Sequence, residues 1–413
     1  MTSSSQQHLV QLLKQKGIGK TMSKSLTAEQ CQNLSILLQS TDASLTTKIT
    51  ILVAFLMLEN TDAETQWLSY LQQDYAQSLP ENCHFLFHQK LDPANGFKQL
   101  ICTVMQHQSL TKEQLHLAID FILDSQQPDH LKAALLEALR LKEESSLENQ
   151  TFLADLYNKA SHTQVNTPIL FDIASAYDGF NQHPNMLIAL AALLAAMGFS
   201  CILHGCHDVS PKYGITTHKI LKALDKNPLK SIPEVKSCIE NPEIFWGYID
   251  QSISFPELYA LQNCRRDMVK RPLLATVEKF MQPFLSKRQN FIITGYTHPA
   301  YRKKTIALLD TLQTCHGYLF TRGVEGSPIA PLDRRCPLII KKTSTINETF
   351  INPNDFSLKQ TDTYKPDTNL TLSQSITIMM TALTKSQSDA AHWLMYNALF
   401  ILDSFDLIPN KKQ

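Results

Sequence analysis

The chain has 413 residues, 43% hydrophobic and 18% charged, with 38 basic and 38 acidic side chains. That length supports two or three domains with full cores, and the composition excludes a disordered or fibrous protein. A net charge of zero excludes any argument for a partner from global charge. Charge is nevertheless uneven: residues 1–165 carry 12 basic and 17 acidic side chains (−5), whereas Arg265–Lys342 carries 15 basic and 5 acidic (+10). Nine cysteines without a Cys-x-x-Cys pair argue against a disulfide framework or zinc site and point to a reducing cytoplasm. No signal-peptide layout opens the chain.

The first third contains an internal repeat. Ser25-Leu-Thr-Ala-Glu-Gln30 returns 84 residues later as Ser109-Leu-Thr-Lys-Glu-Gln114, and at that offset 11 of 42 positions from Ser25 to Gln66 are identical. Each copy opens with Ser/Thr ahead of Glu, a capping-box signal, and continues in helical period, as in Leu115, Ile119, Ile122 and then Leu131, Leu135, Leu139. Residues 76–96, with Pro80, Asn82, Pro93 and Asn95-Gly96, read as a linker. From about residue 166 strands and helices alternate. Predicted strands are Ile169–Ala174, Cys201–His204, Phe291–Gly295, Gly317–Thr321 and Leu338–Ile340. Predicted helices are Met186–Met197, Thr217–Leu224, Leu274–Phe280 and Tyr301–Thr314. Met186–Leu203 is apolar over 18 residues, but its break at Gly198 reads as a buried helix feeding a buried strand, not a membrane span. The alternation predicts an α/β domain with a mostly parallel sheet.

Four segments carry a family resemblance. They are Asp172-Ile-Ala-Ser-Ala-Tyr-Asp-Gly-Phe-Asn181 with Pro184-Asn185, His204-Gly205 through Gly214, Arg265–Pro272, and Tyr296-Thr-His-Pro299 with Arg322-Gly-Val-Glu-Gly-Ser-Pro328. Their order resembles the anthranilate phosphoribosyltransferase family (glycosyl transferase family 3), and Leu110-Thr-Lys-Glu-Gln114 resembles its N-terminal helical domain. The resemblance implies the nucleoside phosphorylase/phosphoribosyltransferase class II fold and a homodimer formed through the helical domain. It divides the chain into an extra helical copy (1–90), the helical domain (91–165) and the α/β domain (166–413). Tyr177, Asp178, Gly179, Asn181, His204, Gly205 and Arg265 fall on the family's substrate cleft.

Three positions depart from the enzymes. The family's Asp-Ile-x-Gly-Thr-Gly-Gly-Asp-Gly turn lets backbone N–H groups close on phosphate, and Ser175-Ala-Tyr177 replaces its glycines. The Asp-Glu pair that holds magnesium in the family falls on Pro328-Ile329, and a cleft histidine falls on Phe255. No catalytic residue and no metal ligand is assigned on this reading, and a cofactor, magnesium, enters only with a transferase. Tyr177-Asp-Gly, Pro184-Asn185, Tyr296-Thr-His-Pro299 and Arg322-Gly-x-Glu-Gly-x-Pro328 are more similar to the YbiB-type paralogues, which implies non-specific binding of nucleic acid, DNA before RNA. The basic stretch points the same way, through Arg265, Arg266, Lys270, Arg271, Arg302, Lys303 and Lys304, with Tyr296, Tyr301 and Tyr318 as stacking candidates. Two alternatives stand beside it: a transferase or phosphorylase acting on a phosphorylated sugar through His204 and Arg265, and a scaffold working through the repeated helices. His204-Gly-Cys-His207 lacks the further ligands of a metal site. Trp67, Trp246, Trp393 and Asn397 read as packing residues.

Overall fold

The computed structural model describes residues 3–17, 19, 22–88, 96–342, 345–358 and 368–408. Pro93 and Asn95 of the expected linker lie outside them. The chain forms two compact units, one from residues 1–155 with 257–276, the other from 156–256 with 277–413.

The first unit is helical, and the 84-residue offset governs it. Helices Ala28–Gln39, Leu45–Met57 and Asp62–Asp74 are matched by Lys112–Leu123, Asp129–Lys142 and Ser146–Lys159. Thr27 and Thr111 each cap their helix in a reciprocal capping box with Gln30 and Gln114. The carboxylates of Glu64 and Glu148 are both fully buried and accept the N–H of Leu26 at 2.9 Å and of Leu110 at 3.0 Å. Each also holds a lysine, Lys16 at 3.0 Å and Lys142 at 2.7 Å, so neither is an unpaired buried charge. The apolar helix Leu45–Met57 packs against its counterpart Asp129–Lys142 in the centre of the unit.

The segment 257–276, expected with the α/β domain, belongs to this helical unit. Its helix Gln262–Met268 packs on both central helices. Ser44 donates to Asp267 Oδ2 at 2.6 Å and Thr47 donates to the Asp267 carbonyl at 2.7 Å.

The second unit is a seven-stranded sheet ordered β4 (Trp246–Asp250), β3 (Ser200–Gly205), β2 (Ile169–Ala174), β6 (Gln289–Gly295), β7 (Gly317–Thr321), β8 (Cys336–Lys342), β9 (Thr345–Ile351). β4 to β7 are parallel, and the β8–β9 hairpin closes one edge in antiparallel register. A small parallel pair, β1 (Thr163–Val165) and β5 (Phe284–Ser286), lies apart. Strands β2 and β3 are apolar on both faces because helices cover both sides, as a parallel sheet requires. Helix Leu187–Ala196 packs on β3 and on Asp389–Ser404, so the 18-residue apolar run is helix then strand. Among the described residues no helix is long and apolar enough to cross a membrane.

Candidate functional site

The loop after β2 and the loop after β3 emerge from carboxyl ends of neighbouring strands, where open parallel sheets bind ligands. Here the chain fills that position with itself. Tyr177 is buried, its ring set edge-on against His204. Its hydroxyl lies 2.6 Å from His204 Nδ1 and 3.2 Å from the Glu278 carbonyl oxygen. On the other side of the imidazole, Nε2 faces Asp172 Oδ1 at 2.8 Å. Burial pushes the Tyr177 hydroxyl well above its ordinary pKa, and the nearby Glu278 adds to that. The result is a sealed Asp–His–Tyr chain.

Gly179 is the glycine kept in this loop, at φ +77, and it serves the chain's own packing. A Cβ there would come within 2.8 Å of Gly214, whose own Cβ would come within 2.7 Å of Phe180. The two segments are tied by Gly214 N–H to the Asp178 carbonyl at 2.8 Å and by Phe180–Ile215 hydrogen bonds. Asp178 is buried and Gly205 lines the remaining space under Tyr177 and Tyr248. That space, bounded by Ser175, Tyr177, Gly179, His204 and Gly205, is about 20 Å³. One water centre needs roughly 10–15 Å³, so a phosphorylated sugar does not fit.

The residues at the position of the family's magnesium-holding pair do not fit a metal. Pro328 and Ile329 are buried and carry no side-chain oxygen. The nearest carboxylate in that segment, Glu325, is turned onto the backbone N–H groups of Asn181, Gln182 and His183. Phe255, at the lost histidine, is buried. Among the described residues no group of three His, Cys, Asp or Glu is placed to hold a metal.

The expected basic residues divide sharply. Arg265 is 0% exposed and Lys270 is buried, with its ammonium donating to the Leu13 carbonyl at 2.9 Å. Burial lowers Lys270 to a pKa of about 8. Both sit in the helical unit, as do the exposed Arg266 and Arg271, whereas His204 belongs to the α/β unit. Tyr296 and Tyr318 are buried and offer no stacking face; Tyr301 is 47% exposed. Arg302, Lys303 and Lys304 lie on helix Ala300–Leu309, with Arg302 paired to Glu348.

Beyond these, the rim where β7 and β9 end and β8 begins carries a groove of about 440 Å³ lined by Arg322, Arg334, Arg335, Cys336, Pro337 and Phe350. The Arg335 guanidinium lies 4.7 Å from the centroid of Phe350, which is 54% exposed. Arg322 Nε donates to the Thr297 carbonyl at 3.3 Å, and Arg334 pairs with Asp333 at 2.9 Å. Arg334 and Arg335 fall within the basic Arg265–Lys342 stretch of the sequence, whereas Phe350 has no local sequence signal, since it meets Pro337 only through the β8–β9 register.

The sheet order and the strand-end loops define a phosphoribosyltransferase class II fold. No family model matches the chain. An anthranilate phosphoribosyltransferase structure from Thermus thermophilus superposes with a TM-score of 0.59 at 16% identity, covering 75% of this chain and 90% of that one. The Saccharomyces cerevisiae enzyme in complex with PRPP and Mg gives 0.55 at 12% identity over 77% and 90%. In sequence, an uncharacterized protein of Aquifex aeolicus (strain VF5) is 28% identical over 263 residues, 64% of this chain and 77% of its own length. Anthranilate phosphoribosyltransferase of Synechococcus sp. (strain JA-3-3Ab) is 24% identical over 268 residues, 65% and 76%. In sequence and in fold the chain is thus similar to the anthranilate phosphoribosyltransferases.

Proposed function

We propose that this protein is a non-catalytic homologue of the anthranilate phosphoribosyltransferases that binds nucleic acid without sequence preference. The observation that carries the reading is the arginine groove on the α/β unit, where Arg322, Arg334 and Arg335 surround open volume beside the exposed Phe350. Guanidinium groups recognise phosphate in a fixed fork, and an exposed aromatic face stacks on a base whatever its identity. Arg302, Lys303 and Lys304, on a helix whose Arg302 reaches Glu348 of β9, extend the cationic surface of the same unit. Arg265 and Lys270 drop out of the surface because both are buried; Arg266 and Arg271 remain as exposed cations of the helical unit. DNA is the expected ligand, with RNA bound through the same phosphate contacts.

The transferase alternative is disfavoured by the 20 Å³ left at the strand-end loops and by the apolar pair Pro328-Ile329. The matched helices and the equivalent Glu64 and Glu148 caps support duplication of one helical module, and the resemblance supports a homodimer formed through it. Sedimentation should give twice the 46.7 kDa chain mass. Fluorescence anisotropy with labelled single-stranded DNA at low salt is the test of function. Saturable binding is expected, and its absence at low salt overturns the reading. Calorimetry with phosphoribosyl pyrophosphate and magnesium should show no heat at millimolar ligand.

A further inference from the structure

We infer that strand β9 is a pairing edge for a second copy of this chain, the two β9 strands running antiparallel about a two-fold axis at Glu348. The inference does not rest on the nucleic-acid reading. β9 lies in the α/β unit, so this contact is also separate from the dimer proposed through the helical unit. Of the two edges of the sheet, β4 is buried at Gly247, Tyr248, Ile249 and Asp250, whereas β9 is exposed at every residue from Thr345 to Phe350.

The register shows which backbone groups this edge offers. Arg322 N–H donates to the Pro337 carbonyl, so Pro337 turns its backbone toward β7. Residues along an antiparallel strand alternate the side to which they point N–H and C=O. Phe350, opposite Pro337, therefore exchanges no hydrogen bond with β8, and Glu348 and Ile346 repeat that position along an unbroken register. All three aim N–H and C=O outward, and among the described residues these groups have no partner. Proteins ordinarily guard such an edge with lysine, proline or a bulge, and β9 has none of them.

An open edge accepts extended chains in general; the order of side chains on β9 selects a second β9. Centred on Glu348, the whole strand overlaps its copy, and Ile346 of each chain comes opposite Phe350 of the other. These side chains share one face because they stand at alternate positions. Ile346 is 37% and Phe350 54% exposed, so the pairing covers both apolar side chains that the free edge leaves in water. On the other face Asn347 meets Thr349, a polar pair. The one like-charge contact, Glu348 against Glu348, brings its own counterions, since each carboxylate already holds the Arg302 guanidinium. Two carboxylates and two guanidinium groups leave the centre neutral. A foreign segment would have to supply the same apolar–acid–apolar order and its own cation.

Glu348→Cys tests this under mild oxidation, without nucleic acid. In the pairing, position 348 faces its own copy with about 5.5 Å between Cα atoms, inside the range of about 4.4–6.8 Å that a disulfide spans. Glu348→Cys chains should link into a species of twice the 46.7 kDa chain mass on a denaturing gel, beyond any formed by the native chain with its nine cysteines. Ile346→Cys alone should not link, since the two 346 positions lie about 13 Å apart along the strands, but mixed with Phe350→Cys chains it should. Adding Ile346→Pro to Glu348→Cys should abolish the link and leave the melt cooperative, because the N–H it removes points away from β8. A folded Glu348→Cys chain that links no more than the native chain overturns the inference, whether the edge stays free or takes another segment. So does linking of Ile346→Cys alone as readily as of Glu348→Cys, which is random collision.

Discussion

The loops after β2 and β3 and the rim of β7, β8 and β9 belong to one sheet, and they treat space and charge in opposite ways. At the first, Tyr177 fills the room beside His204, Gly179 backs onto Gly214, and about 20 Å³ remains. At the second, three arginines and an exposed phenylalanine border about 440 Å³. Ligand-site residues retained from a family therefore say little without the volume around them. His204 persists, but its two nitrogens are committed to Asp172 and Tyr177. A fold fixes where strand-end loops emerge; the site made there depends on what the side chains leave open.

The comparison breaks first at the arginines. Reversing Arg322, Arg334 and Arg335 to glutamate together should lower DNA affinity at low salt by about a hundredfold or more, with the Tm little changed because all three are exposed. Reversal of the buried Arg265 should instead unfold the helical unit, as an unpaired buried charge does, seen as loss of a cooperative melt.

The closed region is probed by Tyr177→Ala. Removing a buried aromatic side chain should destabilise by about 3–5 kcal/mol in urea unfolding. No phosphoribosyl transfer should appear, since Pro328-Ile329 still supplies no metal ligand. Recovery of transferase activity in that variant would show that the cleft is merely blocked.

Phe350→Ala carries a smaller effect. Loss of one stacking face should weaken single-stranded DNA binding by about 5- to 100-fold and leave unfolding unchanged. Equal affinities for the two proteins would reduce the groove to phosphate contacts alone.

The smallest effect is the pH dependence set by Glu325. Its folded pKa lies below that of the unfolded chain, so its stabilising contribution is fully present above about pH 4.3. That contribution is lost as pH falls through the lower folded value. Glu325→Gln should flatten this acid limb of the stability curve, read from urea midpoints between about pH 5 and 2; an unchanged limb would remove Glu325 from the account.

Much of the fold was legible. Ile169–Ala174 and Gly317–Thr321 are strands with the bounds their apolar β-branched and aromatic runs suggest. The 84-residue offset and its two stretches of helical period match Ala28–Gln39 with Lys112–Leu123 and Leu45–Met57 with Asp129–Lys142, because capping boxes and period are local properties; the third matched pair, Asp62–Asp74 and Ser146–Lys159, was not read from the period. Trp246–Asp250 was missed, being five residues with a glycine in it, and Thr345–Ile351 was missed because an exposed edge strand lacks an apolar signature. The site was less legible. A count of cations cannot see that helix Gln262–Met268 turns Arg265 inward, or that Tyr296 and Tyr318 lie in the core. The Glu325 contact spans 144 residues of sequence, a separation at which no local pattern pairs a carboxylate with backbone N–H groups.

The most direct test of the central claim is the salt dependence of single-stranded DNA binding by the native chain and by the Arg322, Arg334 and Arg335 charge-reversed variant. Each phosphate neutralised contributes about 0.7 to the log–log slope, so the native slope should exceed the variant's by about 2. Binding that is absent at low salt, or a slope identical in the two proteins, would contradict a nucleic-acid surface at this groove.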